Sequence, residues 1–285
     1  MEDKSAPGAL WKALKTTTCS GLRSGALQPI ATDLTSIEQD GIRFQVRILG
    51  NVARKDRTAQ QRRKDFNPFL PYDPQMFVAD LSTTHVALLN KFNVVDHHLL
   101  IVPRQFEAQE SLLTLEDFRA LWNCMREIDG LAFYNAGPEA GASQRHKHLQ
   151  LVPLPLVPEE PSLPIDPLLE ATPLADGIGA ISAFPFAHAF IRLEASTTPD
   201  DLLHHYARLR GHLGLQPQSP YNLLATRRWL LLVPRSREHF ATPTGDLSIN
   251  AMGFAGALLV RNWEQLEQVA ERGLVEVLRA VAVPR

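Results

Sequence analysis

The chain has 285 residues, 45% of them hydrophobic, with 29 Lys and Arg against 31 Asp and Glu and a formal net charge of -2. That length supports a large core in one or two domains, and the near-neutral charge gives no global pull toward nucleic acid or an anionic membrane. Cys19 and Cys124 are its two cysteines; with no CxxC, no apolar run of about twenty residues and no secretory leader in MEDKSAPGALWKALK, the expectation is a reduced, cytoplasmic protein without a disulfide framework.

Taken along the chain, residues 44–49 (FQVRIL) predict the first clear strand. Residues 53–64 (ARKDRTAQQRRK) are dense in charge with almost nothing to bury, and predict a surface loop. Residues 85–89 (HVALL) and 99–102 (LLIV) predict two further strands. The adjacent pair His97 and His98 precedes the second of these; only one of two consecutive strand residues can face a site, and both are read as structural. From Thr114 the run TLEDFRALWNCMREID places Leu115, Phe118, Leu121, Trp122, Met125 and Ile128 at helical spacing, with Thr114 as N-cap and Glu116 and Asp117 in the first turn. The proline-rich stretch 153–173 predicts a connector without a regular helix. Residues 200–213 and 266–281 carry weaker helical patterns, the second interrupted by Gly273, and 229–233 (WLLLV) predict another strand.

Two segments echo one another. LLNKFNVVDHHLLIVPRQFE (88–107) and YNLLATRRWLLLVPRSREHF (221–240) both read as strand, short turn, strand, then Val-Pro-Arg. The echo predicts two related halves, with residues 141–153 matched by 247–260, a stretch that holds no histidine. The division expected is 1–155, a connector at 156–180, and 181–285.

Chemistry concentrates in GASQRHKHLQLVP (141–153). On a strand, His146, His148 and Gln150 share one face and Lys147, Leu149 and Leu151 the other. Zinc needs three or four ligands, and His-x-His offers two with no third at local spacing. The small residues before the histidines allow a ligand close to the backbone, where turn N–H groups, the Ser143 hydroxyl and the Gln144 amide suit phosphate oxygens. Imidazole is largely neutral near pH 7, so one ring nitrogen can attack phosphorus without an activating metal. No Walker loop, strand-linked GxGxxG or GxSxG elbow is present.

Those residues carry a resemblance. Asn135-Ala-Gly137 followed by GASQRHKHLQ resembles the His-x-His-x-Gln motif of the transferase branch of the histidine-triad (HIT-like) superfamily. With FNPFLP (66–71), LNKFNVV (89–95), YNLL (221–224) and SINAMGFAGALLV (248–260), residues 44–261 are similar to the diadenosine tetraphosphate phosphorylases, or ATP adenylyltransferases. The resemblance implies an α+β, HIT-like fold with a mainly antiparallel sheet, packed helices and two related halves, the second degenerate and serving the substrate pocket. It implies His148 as an adenylylated nucleophile, His146 in support and Gln150 on the transferred phosphate. It places substrate contacts at Lys55, Asn90, Lys91, Asn135, Gly141, Ala142, Ser143, Gln144, Asn250 and Arg261, where lysine is the expected residue at 261. The activity implied is phosphorolysis of diadenosine tetraphosphate to ADP and ATP, reversible, with sulfate a further acceptor; no tightly bound cofactor is expected, and Mg2+ accompanies the phosphates. Partners are the small molecules diadenosine tetraphosphate, ADP, ATP and phosphate. A transferase for nucleotide sugars and a non-catalytic nucleotide sensor remain as alternatives at this point.

Overall fold

A computed structural model describes residues 7–50, 67–158, 160 and 162–285. The charged stretch 53–64 and Lys55 lie outside the described residues. The elements run α1 (Ala9–Ser24), β1 (Thr32–Gln39), β2 (Ile42–Leu49), β3 (Phe77–Asp80), β4 (His85–Leu89), β5 (Leu99–Pro103), α2 (Leu115–Glu127), β6 (Gly130–Ala136) and β7 (Leu149–Pro153). They continue with α3 (Asp166–Ala171), β8 (Ala189–Arg192), α4 (Pro199–His212), β9 (Tyr221–Ala225), β10 (Trp229–Pro234), β11 (His239–Phe240), β12 (Leu247–Ser248), α5 (Ala251–Phe254), β13 (Ala257–Val260), α6 (Trp263–Arg272) and α7 (Leu274–Val281).

The helix foreseen after Thr114 forms as α2. Thr114 accepts from the Asp117 N–H while the Asp117 carboxylate accepts from the Thr114 N–H, a reciprocal capping box that satisfies two otherwise orphaned donors. Phe118, Leu121, Trp122 and Met125 turn inward. The same device, Thr198 with Asp201, starts α4. Gly273 does break the last helical pattern: it takes a φ of 93° between α6 and α7, in the left-handed region that costs glycine nothing. The proline-rich connector, in contrast, does hold a short helix, α3. Pro167 falls in its first turn, where the missing N–H has no intrahelical acceptor to lose, and Leu163, Ile165 and Leu169 bury their side chains.

One eight-stranded antiparallel sheet, in the order β3-β4-β5-β7-β6-β9-β10-β8, organises the chain. A smaller sheet β1-β2-β13 joins strands from opposite ends of the sequence, with β13 parallel to β2. The large sheet separates two apolar clusters, the sheet alternation of side chains made visible. On one face Leu99, Ile101, Leu149, Leu151, Leu223 and Leu232 pack with Leu10 and Leu14 of α1, Phe118 of α2 and Leu202 of α4. On the other, Phe133, Val152, Leu224, Leu231 and Val233 meet β2, β13 and α5 to α7.

Three strands on each side of the β6/β9 contact match in order, reading inward β5-β7-β6 on one side and β8-β10-β9 on the other. Each of α2 and α4 leads into the inner hairpin of its half. Two related halves are therefore present, but matched differently from the echo expected above. The hairpin β9/β10 stands in the place of β6/β7, not of β4/β5. The counterpart of the histidine-bearing strand is thus β10, and 247–260 instead supplies α5 and β13. Recurrent Val-Pro strand endings, found on β5, β7 and β10 alike, made the wrong match look as good as the right one. The halves at 1–155 and 181–285 contribute to a single continuous sheet.

Candidate active site

The geometry begins at Lys147. His146 makes an antiparallel bridge to Ala108 and the Lys147 N–H donates to Glu107 O (2.8 Å), so the chain is extended before β7 begins. The Lys147 side chain is fully buried toward α2. Its Nζ donates to Glu107 Oε2 (2.6 Å), Asp117 Oδ2 (3.2 Å) and Leu112 O (3.1 Å). Burial alone pushes the Asp117 carboxyl up, yet the His85 hydrogen bond and the Lys147 charge hold it below its ordinary range. A cation so placed, if unpaired, costs about 3–5 kcal/mol. The alternation of side chains then turns His146, His148 and Gln150 to the opposite face, away from α2 and toward Phe69, as the sequence pattern predicted.

His148 is buried and its hydrogen bonds define its chemistry. Its Nδ1 stands 2.9 Å from His146 O; a carbonyl only accepts, so Nδ1 carries the proton and Nε2 keeps its lone pair. Burial lowers its pKa to about 4, which keeps the ring neutral at pH 7. Its N–H donates to Gln109 Oε1 (2.9 Å), and Gln109 Nε2 donates to Asn135 O (2.8 Å). The Phe69 ring lies 5.4 Å from the His148 ring.

His146 is tied on both nitrogens. Nε2 donates to Pro103 O (3.1 Å), and Nδ1 accepts from Asn67 Nδ2 (3.1 Å). With no lone pair left over, His146 shapes the site and is not a second nucleophile. Gln150 sits opposite Leu100 of β5 and Phe133 of β6. Its Oε1 accepts from His98 Nε2 (3.0 Å), and Asn90 Nδ2 stands 3.3 Å from His98 Nδ1. His98, read as structural from sequence, is thereby part of the row; His97 alone keeps that reading, its Nδ1 3.0 Å from Thr18 Oγ1 of α1.

The second half holds the other wall. Asn135 of β6 and Asn222 of β9 are direct cross-strand partners. Asn135 Oδ1 accepts from Asn222 Nδ2 (2.8 Å) and from the Ala251 N–H (3.0 Å). Arg235, fully buried, donates to Asn222 Oδ1 (2.6 Å), Ala140 O (3.2 Å), Ile249 O (2.8 Å) and Val281 O (3.1 Å). Gly141 has φ 87°, and a Cβ there would lie 2.8 Å from Ile249 O and 3.0 Å from Asn250 Cα. Only glycine lets the 137–141 turn rest on the second half.

Of the turn donors expected for phosphate, Gly141 N–H and Ala142 N–H are turned inward, to Pro138 O and Gly137 O. Those two backbone N–H groups already have acceptors within the turn. Ser143 and Gln144 retain donors with no acceptor among the described residues. Lys91 extends from the β4/β5 turn, its Nζ 5.8 Å from the Phe92 ring centre. Asn250 caps α5 by accepting from the Met252 N–H. Arg261 donates to Thr244 O (3.1 Å) and Asp246 O (3.3 Å), and no hydrogen bond joins it to the histidine row. Among the described residues no group of three or more His, Cys, Asp or Glu could hold a metal ion.

Sequence reasoning missed His98, Asn67, Phe69, Gln109, Asn222 and Arg235 as parts of the site. Asn67 and Phe69 lie in FNPFLP, and Asn222 in YNLL, so motif blocks contained them without assigning a role. Nothing local marks Gln109, whose partners are 26 and 39 residues away.

Residues 1–171 match the model of the Ap4A phosphorylase N-terminal domain, and residues 182–284 that of the ATP adenylyltransferase C-terminal domain. Diadenosine 5',5'''-P1,P4-tetraphosphate phosphorylase 2 of Saccharomyces cerevisiae is 33% identical over 243 residues, 72% of each chain. The crystal structure of yeast Ap4A phosphorylase Apa2 in complex with Ap4A superposes with a TM-score of 0.83 at 26% identity, over 96% of this chain and 97% of the other. The complex of the same yeast enzyme with AMP gives a TM-score of 0.80 at 25% identity, over 97% and 98%.

Proposed function

The chain belongs to the Ap4A phosphorylase family, and from that premise we propose that it phosphorolyses diadenosine tetraphosphate (Ap4A) to ADP and ATP by way of an adenylyl group on His148. The observation that supports this most directly is the His148 tautomer: Nδ1–H is tied to His146 O, which leaves a neutral Nε2 free on the face it shares with Gln150.

In the first step the Nε2 lone pair forms a bond to the α-phosphorus of one adenylate. The bond from that phosphorus to the bridging oxygen breaks, its electrons leave with ATP, and the ring's new positive charge is shared with the His146 carbonyl through Nδ1–H. In the second step an oxygen of inorganic phosphate bonds to the same phosphorus, the P–N bond breaks, ADP departs and Nε2 regains its lone pair. Two in-line displacements retain configuration at phosphorus. Splitting the transfer in this way replaces one difficult substitution with two easier ones.

Gln150 fits this leaving group. An amide has no proton to give, unlike an imidazole in the same place, and a polyphosphate departs as an anion that needs none. Its N–H groups instead meet the oxygens whose charge grows at the five-coordinate transition state. Lys91, Ser143 and Gln144 are assigned to the remaining phosphate and ribose oxygens, with Lys55 a candidate from outside the described residues. Mg2+ belongs to the substrate, carried on its phosphates. Reversal from ADP and ATP is the adenylyltransferase direction, and sulfate, a tetrahedral oxyanion, is a second acceptor that would give adenylyl sulfate.

The test is product chromatography after mixing the protein with Ap4A, with and without inorganic phosphate, repeated with His148→Ala. ADP plus ATP that require phosphate and vanish in the variant are expected. AMP plus ATP without phosphate would mean a hydrolase, and no product at all would leave a nucleotide-binding sensor or a nucleotide-sugar transferase.

A further inference from the structure

Gln150 can place either end of its amide toward His98, and only one placement serves a phosphate. If the nitrogen faced the imidazole, the oxygen would face the transferred group and repel it. What decides the matter lies in the turn between β4 and β5.

The chain of constraint starts at a backbone group with one possible role. The Phe92 N–H donates to Asn90 Oδ1 (3.2 Å). That bond fixes which end of the Asn90 amide points where, so Asn90 Nδ2 is the end 3.3 Å from His98 Nδ1. A nitrogen that accepts from an amide carries no proton of its own, so His98 Nδ1 is bare and Nε2 bears the hydrogen. Nε2–H then donates to the group 3.0 Å away, which must be the oxygen of the Gln150 amide. Both N–H bonds of Gln150 Nε2 are left pointing away from His98, and they meet no acceptor among the described residues. The Asn90 backbone N–H donates in turn to His98 O (2.9 Å), which holds the two residues in register across the β4/β5 turn. Burial keeps the His98 ring neutral, with a pKa near 4, so the Nδ1 lone pair needed by Asn90 persists through the physiological range.

We propose that His98, set by Asn90, is a positioning residue that orients the Gln150 amide with its donors toward the transferred phosphate. The inference rests on the phosphorolysis described above. It also alters the role of Asn90, which acts here through His98 and not only by touching nucleotide.

The experiment is a double-mutant cycle on phosphorolysis, using the full chain and Ap4A, with His98→Ala, Gln150→Ala and the pair. If His98 acts through Gln150, His98→Ala lowers kcat about tenfold or more with KM changed much less, since misplacing a group by a fraction of an ångström is enough for losses of that order. Gln150→Ala lowers kcat at least as much, and adding His98→Ala to it produces no further loss. His98→Gln, which keeps an N–H donor, recovers part of the rate. Losses that multiply in the pair would overturn the proposal, as would His98→Ala with an unchanged kcat.

A second measurement needs no activity and no folded variant. The 15N chemical shifts of the His98 ring in the native protein are expected to report the Nε2–H tautomer, with a bare Nδ1. An Nδ1–H tautomer would refute the relay while leaving the phosphorylase reading intact. A native protein without phosphorolysis but with the Nε2–H tautomer would have the opposite meaning.

Discussion

The two halves of the large sheet place the same residue in the same position and use it differently. His98 immediately precedes β5 and His188 immediately precedes β8, strands that occupy matching places in the order. The His98 side chain is half-buried and that of His188 buried, yet both pKa values fall to about 4 through loss of hydration. Titration therefore does not separate them. His98 hands its Nε2–H to Gln150, whereas His188 donates Nδ1–H to Phe186 O (2.8 Å) and its Nε2 accepts from the Ile181 N–H (2.7 Å), packed edge-on against the stacked rings of Phe184 and Phe186. One imidazole ends on a side chain with donors to offer, the other on backbone. The difference teaches that partners, not the titration behaviour of the ring, mark which half carries chemistry.

The Val-Pro-Arg endings show the reverse division. Arg104, after β5, pairs with the exposed Asp80 at the surface, whereas Arg235, after β10, is buried and bound to carbonyls and Asn222. Here the second half holds the residue that matters, and what it matters for is the shape of the first half's 137–141 turn.

The largest expected effect falls on the histidine that has no counterpart in the β9/β10 hairpin of the second half. His148→Ala should lower kcat for Ap4A phosphorolysis by a factor of about 10³ or more, and acid-quenched mass spectrometry of the native protein with Ap4A alone should show an adenylate adduct that the variant does not form. Next is Arg235→Met, which strands several buried acceptors at about 1–3 kcal/mol each; chemical denaturation should show a loss of about 3 kcal/mol or more, against less than about 1 kcal/mol for Arg104→Met. Equal losses would erase the contrast between the two arginines.

His188→Leu removes the acceptor for the Ile181 N–H and should cost about 1–3 kcal/mol, with kcat of the folded variant within about twofold of native, a bound set by its lack of any contact with the row. A large drop in kcat at retained stability would place His188 in the mechanism. Both halves also share a pH dependence. His98, His148 and His188 have folded pKa values near 4, below the unfolded value of about 6.5. The unfolded chain takes up protons first on acidification, so stability is full above about pH 6.5 and declines as pH falls toward 4. Thermal melts at pH 7 and pH 5 should show the decline, and His188→Leu should make it shallower.

Much of this was legible locally. The α2 cap and apolar face, the break at Gly273, the strands and the alternation of His146, His148 and Gln150 all follow from neighbours in sequence, because caps, helical spacing and the strand period act over a few residues. The histidine motif carried the family for the same reason. His98 was misread because the rule that two adjacent histidines cannot both face a site is sound, but which one does so is set by the strand across from it. The helix in the connector was missed because proline counts against a helix by composition, while its cost depends on whether it falls in the first turn.

By itself the sequence determined the chemistry available: an imidazole, an amide two residues on, and small residues before them, all within one short segment whose geometry the extended chain imposes. Only the tertiary structure decided which half matched which, that Arg235 and Asn222 brace the 137–141 turn from across the sheet, and that His98 meets Gln150. Those contacts join residues 52 to 95 positions apart, and strand order, which brings them together, is fixed by burying both faces of the sheet at once and not by any stretch of chain alone.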